Sequence, residues 1–160
     1  MDTSERSANW ILKRISAFLL LVVIVVSVYG TMVFPETIPV HFSAGGEADA
    51  WGSPAMLLIF PIISTILYFL FTWLAKTPSK LNYPVVVTKV NAERLYMLSK
   101  RMLLVLLLCI NLLFLIIIGG VYMVVYGYAD GLHPWFFFLA LALTLGPVGY
   151  YIFKMMTIRN

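Results

Sequence analysis

Four stretches of this chain contain no Asp, Glu, Lys, Arg or His, and each is long enough to cross a bilayer: Ile15–Phe34, Pro54–Leu74, Met102–Tyr126 and Trp135–Phe153. Crossing a hydrocarbon core about 30 Å thick takes about 20 residues at 1.5 Å rise each. Lipid offers no partner to a free backbone N–H or C=O, so a spanning segment is a helix or a strand of a closed barrel, and barrel strands need only about ten residues. Runs twice that length are helices. Trp10, Trp51, Trp73, Tyr126, Tyr128 and Trp135 stand near the ends of the runs, where amphipathic rings favour the headgroup layer. The expected fold is an all-α integral membrane protein with four transmembrane helices in a single domain over residues 1–160. The 62% hydrophobic content, against roughly 45–50% in soluble domains, agrees.

The basic residues predict an orientation. Arg6, Lys13 and Arg14 precede the first run, Lys76, Lys80, Lys89, Arg94, Lys100 and Arg101 lie between the second and third, and Lys154 and Arg159 follow the fourth. The other two loops carry only acidic charge, Glu36, Glu47 and Asp49 in the first and Asp130 in the last. Loops rich in Lys and Arg stay cytoplasmic, so both termini and the middle loop are expected inside. The same segregation directs the net charge of +4 toward membrane lipid and away from nucleic acid. Ala48-Asp49-Ala50 resembles a signal-peptide cleavage site, but the first run is longer than a signal h-region and the alanines lie too far beyond it, so the run is expected to be retained. The lone Cys109 reads as a buried small hydrophobe.

Residues up to about Asn9 are expected to fray ahead of an amphipathic segment in the headgroups. Pro61 and Pro147 each remove a backbone donor and predict bends. Gly119-Gly120 offers a close-approach face to a neighbouring helix, and Asn111, the only carboxamide within a run, is expected to hydrogen-bond between helices. In the middle loop Val85-Val86-Val87 reads as a short extended run, Asn91 as an N-cap and Glu93 as the first-turn acid of a helix continuous with the third run. Arg94 and Arg101 share a face of that helix with Lys100 one position off, a surface for lipid headgroups or a cytoplasmic protein.

The loop from Phe34 to Pro54 is the most informative. Pro35 and Pro39 stiffen its start, Val40 and Phe42 alternate with polar neighbours as in a short strand, and Gly45-Gly46 supplies the positive φ of a tight turn. A strand-turn arrangement folds Glu47 or Asp49 back toward His41, within reach of Asp130 and His133 in the last loop. His41, Glu47, Asp49 and Trp51 are thus candidate ligand-binding residues, for a peptide or other envelope ligand or for a divalent cation. Against this stands a structural role, with Asp49 shaping a turn, Trp51 anchoring the loop and His41 solvated. No metal or cofactor is expected.

Pro35-x-x-Ile38-Pro39-x-His41-Phe42, followed by Gly46, Asp49 and Trp51-Gly52, resembles a family of small bacterial membrane proteins whose defining domain also forms the front part of SdpI-type immunity proteins. A weaker similarity continues in Asn91-Ala92-Glu93-Arg94-x-Tyr96 and Lys100-Arg101-Met102. The resemblance implies a bacterial cytoplasmic membrane and, for the immunity type, protection from a membrane-active toxin coupled to recruitment of a cytoplasmic repressor. The immunity type carries a further membrane domain that does not follow the fourth run, so the implication is one of family and not of activity.

No nucleophile elbow, phosphate loop, metalloprotease helix or intramembrane acid pair is present in the sequence, which argues against an enzyme. A pocket shared by His41 with Asp130 or His133 would reopen that reading. The absence of ionisable residues from the runs argues against an ion-coupled transporter. A non-enzymatic binding or sensing protein is therefore expected, the alternatives being an accessory subunit of a transporter or protease, or a small oligomeric pore.

Overall fold

The computed structural model describes residues 3–158, so Met1, Asp2, Arg159 and Asn160 lie outside the described residues. It contains four helical segments long and apolar enough to cross a membrane: α1 (Thr3–Val33), α2 (Ile59–Leu74) with the 3-10 turn that precedes it, α3 (Ala92–Val125) and α4 (Trp135–Met156). Between α1 and α2 lies an antiparallel hairpin of β1 (Ile38–Phe42) and β2 (Ala48–Gly52). The aromatic residues expected at the interfaces are all exposed: Trp10 in α1, Trp51 in β2, Trp73 and Trp135 at helix ends, and Tyr126 and Tyr128 just after α3.

α1 begins earlier than the sequence suggests. From Thr3 to Asn9 the chain is helical and continuous with the apolar run. The Arg14 guanidinium lies over the Trp10 ring, 3.7 Å from its centroid, a cation–π pair one helical turn apart. The second run opens as a 3-10 turn over Pro54–Leu58, capped by Ser53, whose Oγ accepts from the Ala55 N–H. The α-helix proper starts at Ile59, which puts Pro61 in its first turn, where a missing N–H costs least. The helical winding changes from 3-10 to α just before Pro61. α4 remains helical across Pro147.

α3 is the hub, packing on α1, α2 and α4. α1 offers it a face of small buried residues, Ser16, Val23, Ser27 and Gly30, that recur at helical spacing. The Tyr122 hydroxyl donates to the Val26 carbonyl at 2.7 Å, and a Cβ on Gly30 would meet Leu57 and Tyr122. Between α2 and α3, the fully buried Ser64 Oγ donates to Asn111 Oδ1 at 2.5 Å, while Asn111 Nδ2 donates to the Leu107 carbonyl at 2.8 Å. Asn111 therefore links helices as expected.

Gly119-Gly120 does not meet a helix. A Cβ on Gly119 would touch nothing, and one on Gly120 would meet the Leu132 side chain from the loop before α4.

α4 packs chiefly on α3, and mainly through its C-terminal half, where Tyr151, Met155 and Ile158 close on Leu95 with Tyr83, Val85 and Tyr96 alongside. Toward its N-terminus Phe137, Phe138, Leu141 and Leu145 are exposed. The middle loop forms no strand at Val85–Val87, because no neighbouring chain pairs with it and Val86 and Val87 face outward. Asn91 does not cap α3 with its side chain. It pins the preceding turn instead, Oδ1 accepting from the Thr88 N–H at 2.8 Å and Nδ2 donating to the Val86 carbonyl at 3.0 Å. Tyr83 ties the same loop down, donating to the Pro78 carbonyl at 2.7 Å and sharing a second hydrogen bond with Ser99 Oγ at 3.0 Å. Burial raises the Tyr83 phenol above its ordinary pKa, with the Ser99 bond opposing.

Candidate functional site

The hairpin follows the expected turn with one refinement. Gly46 alone takes the positive φ, +90°, and closes the turn through its N–H to the Ser43 carbonyl at 2.8 Å. The strands depart from simple alternation. The pairing runs Ile38 to Gly52, Pro39 to Trp51, His41 to Ala50 and Phe42 to Ala48, which leaves Val40 and Asp49 without opposite residues. Both are bulges, and Pro39, which has no N–H to give the ladder, sits beside the first. Consequently Ile38 and Pro39 are both buried although adjacent in sequence, and Val40 is turned outward.

The bulge at Asp49 brings its Oδ1 to 2.5 Å from His41 Nδ1. A carboxylate on Nδ1 fixes the imidazole's orientation and leaves Nε2 as the free ring nitrogen. With 67% of the His41 side chain and 45% of Asp49 exposed, the pair contributes little stability, and its interest lies in positioning. Of the two acids expected to fold back, Glu47 does not reach the imidazole pair. Its backbone bridges to Gly131, and Leu132 N–H donates to the Gly46 carbonyl at 2.8 Å. The last loop is thereby laid on the hairpin turn. Trp51 is 59% exposed opposite Pro39, at the level of the interfacial aromatics.

Beneath the hairpin lies a cavity of about 520 Å³, bounded by β1, the start of α2, Ile117 and Val121 of α3 and the first turns of α4. Its walls are mainly apolar, and His41 and His133 both line it, whereas Glu47, Asp49, Trp51 and Asp130 do not. Exposed Met56, Ile59 and Phe137 on its border leave it open to the surroundings between α2 and α4. The expected cluster therefore divides: His41 faces the cavity, Asp49 orients it from behind, and Glu47 and Trp51 stand apart. His133 belongs with His41 rather than with Asp130, and its position directly before Pro134 at the start of α4 is the one sequence cue to that. Among the described residues no group of three His, Cys, Asp or Glu is placed to hold a metal ion.

At the other end of the bundle the three basic residues of α3 do not form one patch. Arg94 is exposed. Arg101 lies within electrostatic reach of Tyr151 on α4. Lys100 turns toward α1 and α2, where it lines a second, smaller cavity with Lys13 and Lys76.

No solved structure matches the chain. An uncharacterized protein of Archaeoglobus fulgidus is 39% identical over 71 residues, a match covering 38% of this chain. The chain spans 39% of that relative's length. Residues 16–65, which run from α1 through the hairpin to the middle of α2, match a family described as a domain of unknown function, DUF1648. The chain is thus a four-helix, membrane-type protein whose hairpin and flanking helices are similar to the DUF1648 domain.

Proposed function

We propose that this protein is a non-enzymatic membrane binding protein whose ligand is amphipathic, an apolar chain or peptide side entering between α2 and α4 and a polar end meeting His41 and His133. The observation that carries this reading is the 520 Å³ cavity, apolar in its walls, lined by two imidazoles and open between two helices. Asp49 is the positioning residue for His41. The segregated basic residues support an orientation with the hairpin outside and both termini in the cytoplasm. The resemblance at Pro35–Gly52 supports a narrower use of the site, protection of a bacterial cell from a membrane-active peptide with a signal to a cytoplasmic partner.

A photoreactive palmitate analogue tests the site in the purified full-length protein. Labelling should concentrate at Ile59, Phe137 and Val121, fall severalfold in Ala140→Trp, which fills the cavity, and fall in His41→Asn and His133→Asn. Even labelling along all lipid-facing helices, unchanged by Ala140→Trp, refutes the proposal. Because His41 and His133 share the cavity, the enzymatic reading is open again and the same experiment decides it: chemical turnover of the probe that His41→Asn abolishes would make the His41–Asp49 couple a general base and the protein an enzyme. For the narrower use, cells carrying Asp49→Asn at wild-type abundance should lose protection from the peptide. The exposed N-terminal half of α4 favours one alternative, an accessory subunit, and copurification of a transporter or protease lost on mutating Phe138 would establish it.

A further inference from the structure

We propose that Lys13, Lys76 and Lys100 form a binding site for the phosphate of an anionic phospholipid, seated between α1, α2 and α3 at the end of the bundle opposite the hairpin. Lys13 stands on α1, Lys100 on α3 and Lys76 in the turn directly after α2, and the three side chains line one cavity of about 230 Å³, together with Asn9, Trp10, Thr72 and Leu104. None of the three lysines forms an ion pair among the described residues. Three like charges brought to one cavity with no carboxylate among its described lining residues repel one another, and an anion between them turns that repulsion into attraction.

The level of the site identifies the anion. Lys13 stands two residues before the first charge-free run, Lys76 two residues after the second and Lys100 two residues before the third. The ends of three apolar runs thus place these lysines at one depth, the edge of the hydrocarbon, where lipid phosphates are concentrated. Trp10 and Trp73 mark the same interface. Leu104 and Ala75 give the cavity an apolar side on which the start of an acyl chain can rest, a feature that free phosphate does not need. A zwitterionic lipid brings its own ammonium group to a cavity that already holds three, so an anionic headgroup is favoured.

The test uses the full chain in non-ionic detergent, titrated with dioleoylphosphatidylglycerol, dioleoylphosphatidylcholine or inorganic phosphate, with native mass spectrometry and thermal unfolding as readouts. Phosphatidylglycerol should be retained as a one-to-one adduct and raise Tm. Affinity should fall about fivefold for each single Lys→Gln change at 13, 76 or 100, and tenfold or more for the triple variant. A control with the same loss of charge, Lys80→Gln, Lys89→Gln and Lys154→Gln together, should bind as the wild type does. Equal losses in the control and the triple variant would reduce the effect to surface charge and overturn the site. Equal binding of phosphatidylcholine would overturn the anionic selectivity, and a Tm shift with inorganic phosphate but none with lipid would overturn the lipid assignment. If the triple variant fails to fold, the three single variants decide by the same comparison.

Discussion

Replacing Gly46 by Ala separates the hairpin's own stability from its docking on the last loop. Gly46 has φ of +90°, and a Cβ there would run into the Leu132 carbonyl. An L side chain in the left-handed region costs about 1–2 kcal/mol, and displacing Leu132 sacrifices its N–H bond to the Gly46 carbonyl, another 0.5–1.5 kcal/mol or so. The expected loss is about 2–3 kcal/mol of unfolding free energy. Gly45→Ala is the internal control, because its φ is not positive and its Cβ would only touch Ser43 Oγ at 3.5 Å. That change should be neutral or stabilising by about 0.5 kcal/mol. Reversible unfolding in mixed micelles with increasing sodium dodecyl sulfate, followed by tryptophan fluorescence, measures both. Equal stability of the two variants would mean that the loops are not docked and that His133 is not held beside His41.

Three further outcomes are expected. A double-mutant cycle on Ser64→Ala and Asn111→Ala should give a coupling of about 0.6 kcal/mol, up to roughly 1.7, for the buried bond between α2 and α3; additive single changes would contradict it. Tyr83→Phe should cost about 1–2 kcal/mol through its two lost hydrogen bonds. Because the folded state raises the Tyr83 pKa above 10.0, its protonated form adds stability that is complete below pH 10.0 and lost as pH rises through the folded value, so an alkaline loss retained in Tyr83→Phe would contradict that assignment. In intact cells, Ala44→Cys and Tyr128→Cys should react with an impermeant maleimide while Ser79→Cys does not, and labelling at Ser79 would invert the proposed orientation.

The helices were legible because a charge-free run of twenty residues has few physical outcomes, and Asn111 was legible as an interhelical partner because a carboxamide in hydrocarbon needs one. The turn was legible in Gly45-Gly46, though not which glycine takes the positive φ. The choice between Glu47 and Asp49 was not. In a regular strand residues two apart share a face, and only the bulges at Val40 and Asp49, which depend on pairing, set them apart. The cavity was equally hidden, since it arises from α4 leaning on α3 at one end only, a matter of packing between distant segments. The convergence of Lys13, Lys76 and Lys100 had a sequence signal in their common distance from the apolar runs. The same-face spacing of Arg94 and Arg101 is the stronger pattern in the sequence, yet Arg101 lies within electrostatic reach of Tyr151 on α4 while Lys100 lines a cavity with α1 and α2.

α3 carries a mechanical consequence. It is unbroken from Ala92 to Val125, and from Lys100 to Val121 it covers about 31 Å. Both cavities therefore have a wall on the same rod, Ile117 and Val121 at one end and Lys100 and Leu104 at the other. Below Gly119-Gly120 the rod has no interior proline or glycine, and such a stretch transmits tilt rather than absorbing it. A tilt of about 5° around Val121, carried along that length, displaces Lys100 by roughly 3 Å. A wedge that tilts α3 at the hairpin end is thereby expected to move the α3 wall of the basic cavity at the other end of the bundle.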